Sequence, residues 1–318
     1  MGKNYKTLVT GYVTPEWIGD LANISEIIIW PGDKTFLMPR EKILKLLPGM
    51  DAVVNFAELR ADKELLDNTS KLKIIANVSI GYDNLELDEL SKRKIWASNS
   101  PGYFNFAVAE YIIAGMLYLS RRIGEAERFV REGNWKSFEP GRWDGLSLRE
   151  RSLGIVGLGS VGRELANLAN CLGMEVRYFD AYNRNSPGFT ELKDLVAKSD
   201  FVSVNVPLSP ETFKMINQEF VDQMKEDAIL INTSRGSVID ESILLKALLS
   251  GRIKGAVLDV FENEPDVPDE LKKLSNVVIT PHIAGGTKTS RKASVENAFR
   301  NVYSVLTGNK PLNPLNNF

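Results

Sequence analysis

The sequence predicts an α/β protein built on parallel sheets. Short β-rich apolar runs alternate with helical patterns along the 318 residues. The alternation falls into two series, separated by a long apolar helix and a loop. The second series opens on a strand, a glycine turn and a helix. At about 150 residues per domain, the length suggests two domains.

In the first series, strands are expected at 7–10, 26–29, 52–54, 72–76 and 95–97, with helical patterns between them. One such pattern, 39–47, begins with proline, as first-turn positions favour. A helix over 106–122 has little polar surface in its early turns, so it should be buried or lie at a subunit interface. Residues 134–145, rich in Gly and Trp, read as a surface loop. The second series has strands at 153–156, 175–179, 201–204, 228–231, 255–258 and 276–279, enough for two mononucleotide-binding halves. An amphipathic helix at 289–306 is closed by Gly308, and the residues after it read as a frayed end.

Composition narrows the function. Lys plus Arg number 39 and Asp plus Glu 41, a net charge of −2, which is ordinary globular usage. The balance argues against a general nucleic-acid binder. Cys171 is the only cysteine, so no intrachain disulfide can form. The first 14 residues lack a signal pattern, and Lys6 stands where myristoylation at Gly2 needs Ser or Thr. The most apolar stretch, 107–119, carries Glu110 and falls short of the ~18 residues of a membrane span. A soluble cytoplasmic protein without membrane or nucleic-acid partners is expected, and the sequon at Asn23 is then a chance match. His282 is the only histidine, so a His-rich zinc site cannot be built and no metal is expected.

Residues 153–162 read strand, then Gly157-Leu158-Gly159-Ser160-Val161-Gly162, then helix. The first glycine permits the tight turn, the second lets backbone approach a pyrophosphate, and the third lets helix and strand pack closely. The helix N-terminus offers N–H groups and a positive dipole end to phosphate. Asp180 closes the next strand at about the spacing of a ribose-binding acid. A carboxylate there accepts from a ribose 2′-OH and repels a 2′-phosphate, so NAD is expected over NADP; Arg184 nearby softens that preference.

Three polar residues follow three strand ends on one side of the second sheet: Arg235, Glu264 and His282. In open α/β sheets ligands bind outside the carboxyl ends of the strands. Hydride transfer between nicotinamide and a carbon bearing oxygen needs such a set. An imidazole gives or takes the proton at oxygen, a carboxylate stabilises the imidazolium, and a guanidinium grips a substrate carboxylate. Singly, each has a plain reading as a surface or turn residue; together, beside a dinucleotide turn, they read as a site.

The chain resembles the D-isomer-specific 2-hydroxyacid dehydrogenase family over nearly its full length. The resemblance is carried by 157–162, by Asn232-Thr233-Ser234-Arg235-Gly236, by 258–265, and by Thr280-Pro281-His282-Ile283-Ala284-Gly285, together with Gly81-Tyr82-Asp83-Asn84 and 99–110. It implies two Rossmann-like, doubly wound parallel-sheet domains, a cofactor domain (100–284) inserted into a substrate domain (1–99 and 285–318). A cleft that closes about hinges near Asn99 and Gly285 would follow. His282 would be the acid/base, Glu264 its tuner and Arg235 the group that binds and polarises the substrate, with N–H groups near Ser79, Ile80 and Gly81 holding the substrate carboxylate. Val206, Pro207 and Asp259 would line the cofactor. The same resemblance extends cofactor contacts to Thr212, Thr233, Ser234 and Gly285. It also implies a homodimer paired through the cofactor domains, which the 106–119 helix and the 135–143 loop fit.

The substrate expected is a small 2-oxo or 2-hydroxy acid, of the glyoxylate, hydroxypyruvate or D-lactate kind. Phosphoglycerate oxidation is an alternative, weakened because Asn77 stands where such relatives carry arginine and Ser79 where glycine is common. An NAD(H)-sensing corepressor is another, disfavoured by the absence of appended interaction tails. A P-loop at 285–289 and a serine hydrolase at Ser160 both fail on motif spacing.

Overall fold

The computed structural model describes residues 3–31, 36–56 and 59–318; Gly2 lies outside them. The chain divides into two compact units, Met1–Phe104 with Gly286–Phe318, and Asn105–Gly285. The first boundary lies five residues beyond the expected one, for a local reason. Ser100 donates its N–H to the Ser79 carbonyl and its hydroxyl to the Asn77 and Ser294 carbonyls, and Tyr103 donates to Asn297. These bonds hold 100–104 to the first unit, whereas Gly285 closes the second.

The first unit is a five-stranded parallel sheet in the order β2-β1-β3-β4-β5, from β1 (Tyr5–Val9), β2 (Ser25–Ile29), β3 (Ala52–Asn55), β4 (Ile74–Asn77) and β5 (Trp96–Ser98). Its central strands β3 and β4 are buried along their whole length because both faces are covered, whereas β1 and β2 carry the exposed Lys6 and Glu26. Leu8, Val53, Ile75 and Ala97 face the helices Arg40–Leu46, Lys63–Asp67 and Leu87–Lys92. Val9, Val54, Ile74 and Ala76 face the helix Lys288–Leu306, whose Phe299 and Val302 are almost wholly buried. The C-terminal segment is not frayed. Leu315 N–H donates to the Ala97 carbonyl, and Asn316 accepts from Ala97 N–H and donates to the Ile95 carbonyl. An edge strand leaves backbone groups unpaired, and this segment pairs them on β5.

The second unit is a six-stranded parallel sheet, β11-β10-β9-β8-β6-β7, from β6 (Ser152–Val156), β7 (Glu175–Phe179), β8 (Phe201–Val204), β9 (Ile229–Asn232), β10 (Gly255–Leu258) and β11 (Val277–Ile279). The order in which successive strands are added reverses between β6 and β8, the topological switch point at which such sheets bind ligands. In the six-strand order of two full halves, a third strand lies beyond β7; here that place holds only a bridge between Tyr178 and Phe189. Apolar residues alternate between faces: Leu153, Ile155 and Val257 pack with Ile112 and Met116 of the helix Asn105–Ser120, while Val156, Val204 and Leu258 pack with Phe220 and Leu244. A second helix, Ile123–Arg131, follows after Arg122 takes a left-handed conformation (φ 54°); the sequence reading had no helix there. Among the described residues no helix is long and apolar enough to cross a membrane.

Candidate active site

At the switch point, β6 runs into Gly157, whose φ of 96° suits glycine. A side chain there would also press on the Asn205 carbonyl, 2.7 Å from a Cβ position. The turn after β6 thus touches the segment after β8, Asn205 to Pro207. Space over Gly159 is open, and Gly162 packs against the Gly157 carbonyl too closely for a Cβ. Gly159 caps the helix Ser160–Cys171 without a side chain, leaving first-turn N–H groups, including those of Ser160 and Val161, for a ligand. A tight turn, an open face and uncapped donors fit a dinucleotide pyrophosphate. Asp180 accepts from the N–H groups of Leu158, Tyr182 and Asn183. Partial burial pushes its carboxyl up, but the three donors outweigh that and hold it below the usual carboxylate range. Arg184 faces Glu191, 3.9 Å away, and the Phe189 ring. Thr212 donates to the Pro207 carbonyl at 2.6 Å and accepts from Ser209 N–H, fixing the Val206–Pro207 turn.

Beyond β9, Asn232 organises the next turn. It accepts from Ser234 N–H and hydroxyl and donates to the Arg235 carbonyl, with Thr233 between, and Arg235 donates to the Ser234 carbonyl. Gly236 is required by contact, because a Cβ would overlap the Phe261 carbonyl. That approach brings the Arg235 turn against the segment after β10, where Glu264 accepts from Phe261 N–H. Beyond β11, His282 takes a left-handed conformation (φ 54°), its N–H bonded to the Asp259 and Thr280 carbonyls. Asp259 is wholly buried and turned inward; its carboxylate accepts from the Thr280 hydroxyl, Ile283 N–H and Ala284 N–H. It holds the turn that bears the imidazole and runs on to Gly285. Tyr111 is hydrogen-bonded to Thr280 from the Asn105–Ser120 helix.

His282 Nδ1 lies 2.9 Å from Glu264 Oε2, with both side chains partly open to solvent. The hydrogen bond to Glu264 holds the imidazole pKa above its ordinary value, against burial and the Arg235 charge. Burial pushes the Glu264 carboxyl up, but His282, the Phe261 N–H and Arg235 together hold it below the usual range. The structure therefore brings His282 and Glu264 into contact, and the Arg235 charge acts on both. Such a group can store a proton on a solvent-facing imidazole beside a fixed cation. Sequence reading missed Thr280 and Tyr111 as holders of this turn. Thr280 was visible two residues before His282, but nothing in the sequence linked Tyr111 to it.

Ser79, Ile80 and Gly81 lie in the first unit, in the loop after β4. Their carbonyls accept, in turn, from Ser100 N–H, the Asn99 amide, and the Ser79 hydroxyl with the Asn77 amide.

The family model described as D-isomer specific 2-hydroxyacid dehydrogenase, NAD binding domain, matches residues 113–284. A glyoxylate reductase of Thermococcus litoralis is 40% identical, over 98% of this chain and 96% of its own. A solved structure from Thermus thermophilus superposes with a TM-score of 0.92 at 35% identity, covering 98% of this chain and 99% of its own. An NADPH-dependent glyoxylate/hydroxypyruvate reductase from Sinorhizobium meliloti, solved with NADP and malonate, superposes with a TM-score of 0.85 at 29% identity, covering 98% and 96%.

Proposed function

The chain belongs to the D-isomer-specific 2-hydroxyacid dehydrogenase family, an NAD(P)-dependent oxidoreductase, and from that premise we propose that it reduces glyoxylate and hydroxypyruvate with NADH. The observation that carries the chemistry is the 2.9 Å contact between His282 and Glu264 under the Arg235 charge. When bound, the nicotinamide supplies the hydride. Glu264 accepts a hydrogen bond from the Nδ1–H of His282, which fixes the ring and stabilises its protonated form. Nε2 is then the nitrogen that gives the proton to the substrate oxygen, or takes it back in the reverse direction. Arg235 grips the substrate carboxylate and draws charge toward the carbonyl oxygen. N–H groups of the loop after β4 are the first unit's candidate seat for a substrate carboxylate.

Asp180 supports NAD over NADP, because its ionised carboxylate would face a 2′-phosphate. The small acids are supported by the Thermococcus relative and by Asn77, which offers a substrate phosphate no cation. We also read the chain as a cytoplasmic homodimer paired through the second unit. Support for pairing lies in its exposed Ile123, Val130, Trp135 and Phe138, and for the compartment in its single thiol. Initial rates with glyoxylate, hydroxypyruvate, pyruvate and branched 2-oxo acids, each with NADH and NADPH, test the assignment. Glyoxylate and hydroxypyruvate with NADH should give the highest kcat/KM; a preference for branched acids or NADPH would overturn it.

A further inference from the structure

The loop after β4 is held by side-chain amides, and their arrangement decides which way its N–H groups face. The carbonyls of Ser79, Ile80 and Gly81 are each drawn to a donor: Ser100 N–H at 2.9 Å, Asn99 Nδ2 at 2.7 Å, and for Gly81 both Ser79 Oγ at 2.8 Å and Asn77 Nδ2 at 3.2 Å. In a trans peptide the N–H points opposite the carbonyl before it. Pinning these three carbonyls therefore turns the N–H groups of Ile80, Gly81 and Tyr82 the other way. None of the three donates to a protein acceptor among the described residues.

Asn77 is the centre of this device. It is wholly buried at the end of β4. Its Nδ2 donates to Gly81 O and, at 2.8 Å, to Asn84 Oδ1, while its Oδ1 accepts from Asn55 Nδ2 at 2.8 Å. Asn55 and Asn84 are themselves anchored, both donating to the Leu59 carbonyl. Each amide orients the next, since an amide supplies a donor and an acceptor at one position.

We propose that Asn77, set by Asn55 and Asn84 and acting on the Gly81 carbonyl, works with Asn99, which acts on the Ile80 carbonyl, as a pair of positioning residues that aim the Tyr82 and Gly81 N–H groups at the substrate carboxylate and so set affinity for the 2-oxo acid. This rests on the reading of the loop as the carboxylate's seat. Asn77 touches no substrate in this role. It fixes a binding element that serves ground state and transition state alike, so its loss belongs in KM rather than kcat.

The test is Asn77→Asp, which keeps shape but replaces a donor with a carboxylate facing two acceptors. At pH 8 the KM for glyoxylate and the Kd for oxalate should rise about tenfold or more, the size expected when a buried bond becomes a repulsion. The Kd for NADH should not change, since the glycine turn lies in the other unit. As pH falls, the introduced carboxyl protonates and regains a donor, so the ratio of variant to wild-type Kd should shrink; mere destabilisation would not restore affinity on acidification. If that variant fails to fold, Asn99→Ala, which frees the Ile80 carbonyl, carries the same KM-only expectation. Oxalate should also shift the wild-type amide resonances of Ile80, Gly81 and Tyr82. Unmoved resonances would overturn the carboxylate reading and this proposal with it. Moved resonances with unchanged oxalate affinity in both variants would overturn the role of the amides alone.

Discussion

His282 sits on backbone that disfavours it: a left-handed φ in a non-glycine residue costs of order 1 kcal/mol or more. The buried Asp259 offsets that cost by fixing the turn from both sides, through Thr280 before it and Ile283 and Ala284 after it. His282→Asn is therefore an informative replacement, because asparagine tolerates this conformation. It should lower kcat by about 10²–10⁴, with NADH binding, followed by fluorescence titration, unchanged. The pH dependence follows from the raised imidazole pKa. Reduction uses the protonated ring, so kcat/KM for the oxo acid should be full at low pH and fall as pH rises through a value above 6.5. Oxidation of the hydroxy acid should show the opposite limb. In Glu264→Gln the counter-charge is gone, so the descending limb should move to lower pH; a pH–rate series on both proteins checks this. Of these residues the sequence exposed those with an unmistakable chemical type, above all the one histidine. Asp259 was expected to line the cofactor; its inward-facing role was not legible, because that depends on where Thr280 and the 283–284 peptides fall in space.

At the level of elements, the strand ends do the assembling. Gly236 lets the turn after β9 lie on the backbone of Phe261, so the arginine and glutamate segments are located by contact. Gly236→Ala should force them apart. Displacements of about 1 Å near a reacting centre cost on the order of 10²-fold, so kcat/KM should fall by at least tenfold while far-UV circular dichroism stays native. Strands were legible because parallel sheets covered on both faces read as continuous apolar runs. The missing third strand beyond β7 was not, since a single bridge at Phe189 leaves no periodic signal. Nor was the ordered C-terminal segment: its Asn and Pro residues look like a loose end until β5 is seen to need partners for its backbone groups. The Ile123–Arg131 helix was hidden by continuity with the helix before it, which only the left-handed Arg122 interrupts.

For the whole molecule, two units with separate cores follow from one chain that leaves the first at Phe104 and returns at Gly286. The insertion was legible through the family motifs, whereas the boundary shifted to where Ser100 and Tyr103 are tied. The pairing proposed for the second unit predicts a mass about twice the 35.5 kDa chain by light scattering, reduced to one chain by Val130→Asp with Phe138→Asp; a wild-type monomer at micromolar concentration would remove it. The order of the chain also bears on how the molecule comes to exist. Strands β1 to β5 leave the ribosome long before the helix Lys288–Leu306, yet that helix covers the face bearing Val9, Val54 and Ile74. The second unit is contiguous and can complete itself during synthesis, whereas the first must hold an uncovered apolar sheet until residues 288–306 emerge. A nascent chain arrested before residue 288 should therefore recruit chaperones to its N-terminal third.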